Sequence, residues 1–362
     1  MTDLLYSAEP IFTVDGTVKG EITRDLLRLD VDETTDGLKT LIVRVAGSVP
    51  HPDEPDVPEL YLNGSIIDFG KKVELSLGAS GGAARQVFSG FVSAFEAVYA
   101  EAREPEVVFF AEDRLMDLRM TRRMKSYEKM KDSDIASDIA GQHGLTPSVN
   151  ADGPQYDVVQ QWNQSDLAFL RDRAARIQAE VWVEGDTLHF ETRPNRGGTE
   201  ITLVNGNQLV DVQIRADLAH QRTRVKVSGY DAAERDPVDE EAEGSVVQGE
   251  TSGGKTGPDT LQRAFGERVS RVVRDVPLTD QEAREWASAE MLRRARGFVT
   301  AVGTTNGTPD LVVGSKVKLD RVGGPFNGSG YYVTHVHHSY DRSDGFRTRF
   351  EAERATVNEG TA

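Results

Sequence analysis

Three histidines near the C-terminal end of the chain come closer than any other residues to a metal-binding pattern. His335, His337 and His338 fall within four consecutive positions. On an extended strand alternate side chains share a face, so His335 and His337 would point one way and His338 the other. Two imidazoles can share a transition metal, but stable sites use three or four protein ligands, and the sequence indicates no third. We interpret the histidines as ordinary strand residues and predict neither a metal site nor a cofactor.

Closely spaced carboxylates are the second kind of residue that could do chemistry, because a pair can supply a general acid and a general base. The densest acidic run covers residues 231–243 and includes Asp239 and Glu240, while Asp211 stands alone. A catalytic pair needs a rigid cleft that separates the two pKa values. The acidic run continues into Gly and Ser with few apolar residues, which predicts a mobile loop. We therefore predict no catalytic residue and a protein that is not an enzyme.

Three further local patterns favour structural roles over chemistry. Ser165 precedes an apolar stretch of helical period, which is typical of a helix N-cap and not of a nucleophile. His143 comes directly before Gly144 at a predicted helix end, where an imidazole can interact with the last carbonyl groups. The Gly323-Gly324 pair lacks the lysine and the helix that follow a phosphate-binding loop. None of these patterns predicts a binding or catalytic site.

The overall composition is acidic and free of cysteine. Among 362 residues there are 42 Lys or Arg and 59 Asp or Glu, which gives a formal net charge of −17. Such a chain repels polyphosphates, and this argues against a sequence-specific nucleic-acid binder. The lack of cysteine excludes disulfides, thiolate zinc sites and thiol catalysis. No apolar run is long enough to cross a membrane.

One basic cluster interrupts this acidic background. Its members are Arg119, Arg122, Arg123, Lys125, Lys129 and Lys131. Such a cluster could bind an acidic partner surface, and an ordinary solvated face has the same composition. The acidic balance of the whole chain likewise fits simple solubility, or acidic walls along which DNA or an acidic cargo passes without adhering. These interpretations stay open at the level of the sequence.

The first 112 residues predict a β-rich domain. Residues 41–46 are apolar at nearly every position, so both faces of the predicted strand are largely apolar. Residues 73–77 alternate between apolar and polar residues, which indicates one wet face. The prolines between these strands predict a loop: Pro50, Pro52, Pro55 and Pro58. Short strands separated by Gly and Pro turns are typical of a barrel or a sandwich.

Residues 113–196 predict a small α/β module. A helix is expected to begin with a cap at Asp132 or Ser133 and to end at Gly144, a residue suited to the left-handed turn that follows many helices. A second helix follows the cap at Ser165, and a β-hairpin completes the module.

Residues 197–357 predict a second barrel-like domain, split by a mobile acidic insertion around 231–278. After the insertion, Thr279 and Glu282 form a capping box ahead of an apolar stripe at helical spacing. Further strands separated by Gly-rich turns complete the domain. The predicted fold class is therefore mainly β with α+β insertions, in which a small α/β module lies between two β-rich parts.

Three stretches, in this order along the chain, carry a resemblance to a known family. The first is Ser126-Tyr127-Glu128-Lys129-Met130 with Ser133-Asp134-Ile135-Ala136 and His143-Gly144-Leu145. The second is Gln161-Trp162-Asn163-Gln164-Ser165-Asp166-Leu167-Ala168-Phe169-Leu170-Arg171, ending at Gly185-Asp186-Thr187-Leu188-His189-Phe190. The third is Gly330-Tyr331-Tyr332-Val333-Thr334-His335-Val336-His337-His338 with Gly345-Phe346-Arg347-Thr348. Together they resemble the phage late control D proteins and the hub part of the VgrG family, which are baseplate hubs of contractile phages, tailocins and type VI-like injection systems. The resemblance covers roughly residues 110–356.

The resemblance implies two tube-like β-barrels with the small module between them. Three copies would form a ring whose six barrels face a hexameric tail tube, so that a homotrimer adapts this tube to a trimeric spike. It implies contacts with the tail tube protein and other baseplate proteins, and a lumen through which DNA or protein cargo passes. No β-helical repeat is recognisable, so we expect a separate spike protein. The expected location is a virion or injection particle assembled in the host cytoplasm.

Two alternatives belong to other classes of protein. A β-rich carbohydrate-binding surface protein would need an exposed aromatic platform, yet Trp162, Trp182 and Trp286 each lie on or beside a patterned element. A hydrolase of cell-wall glycans is the other alternative, and a turnover assay on peptidoglycan would identify it.

Overall fold

The computed structural model of the chain describes residues 9–47, 61–78, 84–101, 104–151, 153–198, 200–231, 234–251, 253–272 and 276–357. The described residues are mainly β, as predicted, with 50% of them in strands and 22% in helices. The loop predicted around Pro50, Pro52, Pro55 and Pro58 lies outside the described residues, so it stays a prediction.

Strands dominate both halves of the chain. They are β1 Ile11–Val14, β2 Thr17–Val18, β3 Leu26–Thr34, β4 Thr40–Ala46, β5 Lys72–Gly78, β6 Ala84–Val98, β7 Glu106–Glu112, β8 Arg122–Met130, β9 Thr146–Asn150, β10 Tyr156–Ser165, β11 Ala179–Glu184, β12 Thr187–Thr192, β13 Glu200–Val204, β14 Leu209–Ala216, β15 Arg224–Asp231, β16 Asp236–Glu243, β17 Lys255–Thr256, β18 Val269–Val272, β19 Val299–Thr305, β20 Lys316–Asp320, β21 Gly328–Asp341, β22 Gly345–Arg354 and β23 Thr356–Val357. The α-helices are α1 Gly20–Asp25, α2 Leu115–Met120, α3 Asp132–Gln142, α4 Asp166–Ile177, α5 Gly257–Phe265 and α6 Asp280–Arg296. Of these described helices, none has the length and apolar character that a membrane crossing requires.

The chain divides into two compact units. Unit 1 comprises Met1–Met116, Thr304–Val312 and His335–Phe350, and unit 2 comprises Asp117–Gly303, Val313–Thr334 and Glu351–Ala362. The three-part division at residues 112 and 196 stays a prediction.

Unit 1 is built on an antiparallel sheet whose strands run in the order β21, β3, β4, β7, β6, β5, β1 and β2. Leu41, Val43 and Val45 of β4 are buried in its core, whereas the apolar Ile42 is 38% exposed. Side chains of β-strands alternate between faces, and Ile42 falls on the face away from this core. The alternation predicted for β5 is confirmed, because its apolar residues are buried and Glu74 is only half-buried.

Close backbone approach explains the glycine inside β6. A Cβ at Gly90 would lie 2.2 Å from the carbonyl oxygen of Glu112 on the neighbouring strand. Any larger residue would push the two strands apart, and glycine within a strand commonly marks such an approach.

The two helices and the hairpin predicted in the middle of the chain are present in unit 2 as α3, α4 and the pair β11–β12. Ser165 Oγ accepts a hydrogen bond from the N–H of Ala168 at 3.2 Å, which confirms Ser165 as the N-cap of α4. The position predicted for the cap of α3, Asp132 or Ser133, was wrong, because the N-cap residue is Lys131. The carboxylate of Asp134 accepts from the N–H of Lys131 at 2.9 Å, whereas Asp132 is buried and binds Arg173 at 2.5 Å.

The acidic run predicted as a mobile loop forms regular structure instead. Asp236–Glu243 is strand β16, paired antiparallel with β15, and Val238 and Ala242 pack with the apolar face of α6. The acidic side chains lie mainly on the outer face, where Lys226 binds Glu241 at 2.9 Å. The alternation of a strand was present in the sequence, but the acidity at the outward positions concealed it.

Closed barrels are not seen in the described strand pairings. In unit 1 the path of paired strands runs from β22 through β21 to β2, and among the described strands no pairing joins β22 to β2. The barrel organisation implied by the resemblance therefore belongs to the proposals below.

Candidate functional site

Two of the three C-terminal histidines meet carboxylates of the neighbouring strand. His335 Nε2 lies 2.8 Å from Asp32 Oδ2, and the two ring nitrogens of His337 lie 3.2 Å from Asp32 Oδ2 and 3.1 Å from Asp30 Oδ1. Hydrogen bonds to Asp30 and then to Asp32 raise the pKa of His337 to about 9. The charged imidazole of His337 therefore donates from both ring nitrogens and forms ion pairs with Asp30 and Asp32 on the surface of the sheet.

His338 points to the opposite face, as its position on the strand predicts. It is buried, its Nδ1 lies 2.9 Å from Thr348 Oγ1, and burial lowers its pKa to about 3. The side chain is thus a neutral core imidazole. Across the described ranges, no group of three or more His, Asp or Glu side chains is arranged to hold a metal ion.

The most specific stretch of the sequence surrounds a buried carboxylate in unit 2. Asp166 at the start of α4 lies 2.8 Å from His143 Nε2 and 2.9 Å from Arg123 Nε, and it accepts from Gln161 Nε2 at 2.8 Å. The other nitrogen of His143 lies 2.5 Å from Asp117 Oδ2. Asp166 thereby connects β8, β10 and the end of α3 to α4. The expectation that the His143 imidazole interacts with helix carbonyls was wrong, because these carboxylates, distant in sequence, are close in space.

A second buried network in unit 2 was missed from the sequence. Glu180 lies 2.9 Å from Arg193 Nε and 3.0 Å from Arg196 Nη1, and it accepts from the Tyr332 hydroxyl at 2.7 Å. Burial is the main reason that the pKa of Tyr332 is raised above its ordinary value, and the charge of Glu180 adds to it. Glu180 and Tyr332 are 152 positions apart, so no local pattern marks the pair.

The predicted basic cluster is distributed over local contacts. Arg123 binds Asp166, Lys125 binds Asp138 at 2.5 Å, and Arg122 contacts the side chain and carbonyl oxygens of Asn163. These contacts support the solvated structural interpretation for those three residues. Binding of an acidic partner by the cluster stays a prediction.

One tryptophan stands on the surface. Trp162 is 70% exposed and pairs across the β8–β10 ribbon with Met124, which is 76% exposed. Trp182, by contrast, is buried and stacks on His189 with ring centroids 4.6 Å apart. All three tryptophans lie on or beside patterned elements, but this observation does not reveal that Trp162 is exposed. In a ribbon with one buried face, the outward residues alternate with the same period as the buried ones.

Neither the isolated Asp211 nor the Asp239–Glu240 pair forms a cleft. Asp211 is exposed on β14, Asp239 accepts from Ser228 at 2.8 Å, and Glu240 binds Arg284 at 2.7 Å.

Strand β14 lies at the end of its sheet and pairs only with β19 among the described strands. The alternation of Val210, Val212 and Ile214 is typical of a strand, but it does not indicate that the strand lies at the edge of its sheet.

Comparisons with known proteins agree on the fold. The chain is similar to the 43 kDa tail protein of prophage MuSo2 from Shewanella oneidensis, with a TM-score of 0.66 at 14% identity, over 96% of this chain and 98% of that chain. It is similar to the tail protein from Neisseria meningitidis MC58, with a TM-score of 0.65 at 13% identity, over 96% and 97%. The E. coli c3393 protein, a component of the type VI secretion system, gives a TM-score of 0.56 at 13% identity, over 93% and 76%. These similarities establish a fold shared with tail proteins.

Sequence comparison adds a family. No curated protein matches the chain. The family named Alg8 N-terminal domain matches residues 62–341, which is more than half of the chain. The match includes the β8–β10 ribbon, the helices α3 and α4, and the whole of β21. The chain therefore belongs to the Alg8 N-terminal domain family.

Proposed function

We propose that the chain is a structural hub subunit of a phage-type tail or contractile injection system. The observation that carries the proposal is the extent of the shared fold, which spans 96% of this chain and 98% of the Shewanella tail protein. A likeness of that extent includes the whole architecture and not a common small motif. The sequence resemblance to late control D and VgrG hubs, centred on residues 161–171, supports the same role independently.

In this role three copies form a ring that joins a hexameric tail tube to a trimeric spike. The two β-rich parts of each chain supply two tube-like barrels, so that a trimer offers six similar sites and the symmetry mismatch is resolved within each chain. The tail tube protein, a separate spike protein and other baseplate proteins are the partners, and DNA or protein cargo passes through the lumen. The particle is assembled in the host cytoplasm.

In this proposal the chain holds the other subunits in a fixed arrangement and does not catalyse a reaction. The buried titratable groups of unit 2 support this part of the proposal, since Asp166 and Glu180 are engaged by several donors each. Such networks stabilise one arrangement of the elements around them, whereas a catalytic acid or base needs access to substrate.

Light scattering of the purified chain, alone and with its spike protein, tests the proposal. We expect the mass of three copies in at least one of the two conditions. A monomer in both conditions would contradict the hub function. Incubation with peptidoglycan tests the absence of catalysis, and reproducible release of glycan fragments would contradict it.

The exposed indole of Trp162 favours a second candidate, carbohydrate binding. A sugar ring stacked on Trp162 would quench its fluorescence in a saturable way, and Trp162→Ala would remove the effect. We place this candidate second, because one indole beside Met124 is smaller than an aromatic platform.

A further inference from the structure

Strand β14 is an open sheet edge. Its eight residues, Leu209–Ala216, pair only with β19 among the described strands, and within β14 only Leu209 is buried. The free side of such a strand presents backbone N–H and C=O groups to which another strand can add. Soluble proteins normally block an open edge of this length, because another strand can pair with it. The open edge of β14 therefore needs a physical explanation.

The side chains of β14 are those of a strand suited to pairing. Val210, Val212 and Ile214 lie on one face at alternate positions, and Val210 is 53% exposed. β-Branched residues on a pleated face contribute most when a neighbouring strand packs against them. The opposite face carries one acid, Asp211, and one base, Arg215, so its formal charges cancel.

A second strand of the same unit shows what a blocked edge looks like. Strand β16 also ends its sheet and is also eight residues long. It contains five acidic residues and no basic residue, and Pro237 lacks a backbone N–H. Charge and proline are the usual means of preventing edge-to-edge pairing. Unit 2 therefore blocks the edge at β16 and leaves the edge at β14 open.

We propose that β14 is an assembly edge, to which a strand from a second copy of this chain adds. The inference rests on the proposed homotrimer and identifies one of its contacts. Two copies that each carry a formal charge of −17 repel one another at long range. Close contact is therefore favoured where local charge cancels, as on β14, and disfavoured on β16. In a threefold ring the contact is heterologous, so β14 of one copy meets a different strand of the next.

Lysine substitutions on β14 test the contact. Val210→Lys and Val212→Lys place charge on the open edge, and Val210 is exposed enough to accept it without disturbing a core. Val158→Lys is the matched control, because Val158 is 52% exposed and lies on β10 of the same unit. We expect the trimer dissociation constant, measured by light scattering over a dilution series, to rise at least tenfold for the β14 variants and to stay within twofold for the control.

Circular dichroism and thermal melting of each variant establish that it is folded. Hydrogen exchange of the unsubstituted protein supplies a second measurement, in which amides of residues 209–216 should exchange more slowly in the trimer than after dilution to the monomer. Trimers that resist both β14 substitutions, an equal effect of Val158→Lys, or unchanged exchange in β14 would each overturn the inference while leaving the hub function intact. An unsubstituted chain that stays monomeric with and without the spike protein would instead overturn the homotrimer, and the β14 contact with it.

Discussion

At the scale of single residues, burial determines what each polar side chain does. Asp166 and Glu180 are both buried, and each is surrounded by cationic or neutral donors, which offsets the loss of hydration. Burial lowers the pKa of His338 to about 3, so this side chain is neutral. His337, half-buried beside two carboxylates, keeps its proton instead. Neighbouring histidines on one strand thus take opposite charge states.

Replacing His337 should make stability less sensitive to alkaline pH. The folded pKa of His337 is about 9, above its ordinary value of 6.5. Its contribution is therefore fully present below pH 6.5 and is lost as the pH rises through about 9. We expect His337→Gln to lower the free energy of unfolding by about 1 to 2 kcal/mol at pH 6 and by almost nothing at pH 10, as measured by denaturant titration.

The exposed His220 supplies the control for this experiment. His220→Gln removes an imidazole from the surface of the chain, so it should lower stability little at either pH. A loss for His337→Gln that is the same at pH 6 and pH 10 would show that the carboxylate contacts of His337 do not depend on its charge.

At the scale of elements, local signals identify where helices begin and end. Ser165 caps α4, and Thr279 Oγ1 accepts from the N–H of Glu282 at 3.2 Å at the start of α6. Gly144 follows α3 with a φ of 63°, in the left-handed region that glycine adopts without strain. Strand β16 is the counterexample, because its charge suggested a loop although its buried Val238 and Ala242 follow the period of a strand.

Removing the cap of α4 should destabilise the chain by a modest and specific amount. Ser165→Ala leaves the N–H of Ala168 without its acceptor, and N-cap losses of this kind cost about 1 kcal/mol. Ser126→Ala on the exposed face of β8 is the matched control and should cost much less. Thermal and denaturant unfolding measure the difference, and equal effects of the two substitutions would contradict the capping role.

At the scale of the whole molecule, charge and assembly oppose one another. The formal charge of −17 keeps separate copies apart, while the proposed ring requires three of them in contact. The structure reduces this conflict locally, because many acidic side chains of unit 2 are paired, as Glu290 is with Arg294 at 2.7 Å. The remaining repulsion acts at long range and is therefore open to screening by salt.

Salt should strengthen the proposed trimer. Raising the ionic strength from about 0.01 M to 0.15 M shortens the screening length from about 30 Å to about 8 Å. Repulsion between like-charged copies falls with it, so we expect the trimer dissociation constant to decrease several-fold. Sedimentation velocity at a series of salt concentrations measures this change. A trimer that weakens with added salt would mean that ion pairs between copies outweigh the net repulsion.

The sequence by itself determined the β-rich class, the two helices and the hairpin in the middle of the chain, the first residues of α4 and α6, and the position of His338 on the face opposite His335 and His337. These follow from periods of two and 3.6 residues and from capping chemistry between near neighbours. Only the tertiary structure decided which charges meet. Asp166 gathers His143 and Arg123, and Glu180 meets Tyr332 from 152 positions away. The tertiary structure also decided that β14 lies at the end of its sheet, although the alternating pattern of β14 resembles that of an inner strand. The local period of a sequence specifies which face of a strand is apolar. The neighbours of the strand depend on pairing with distant segments, and no local pattern in a single sequence indicates that pairing.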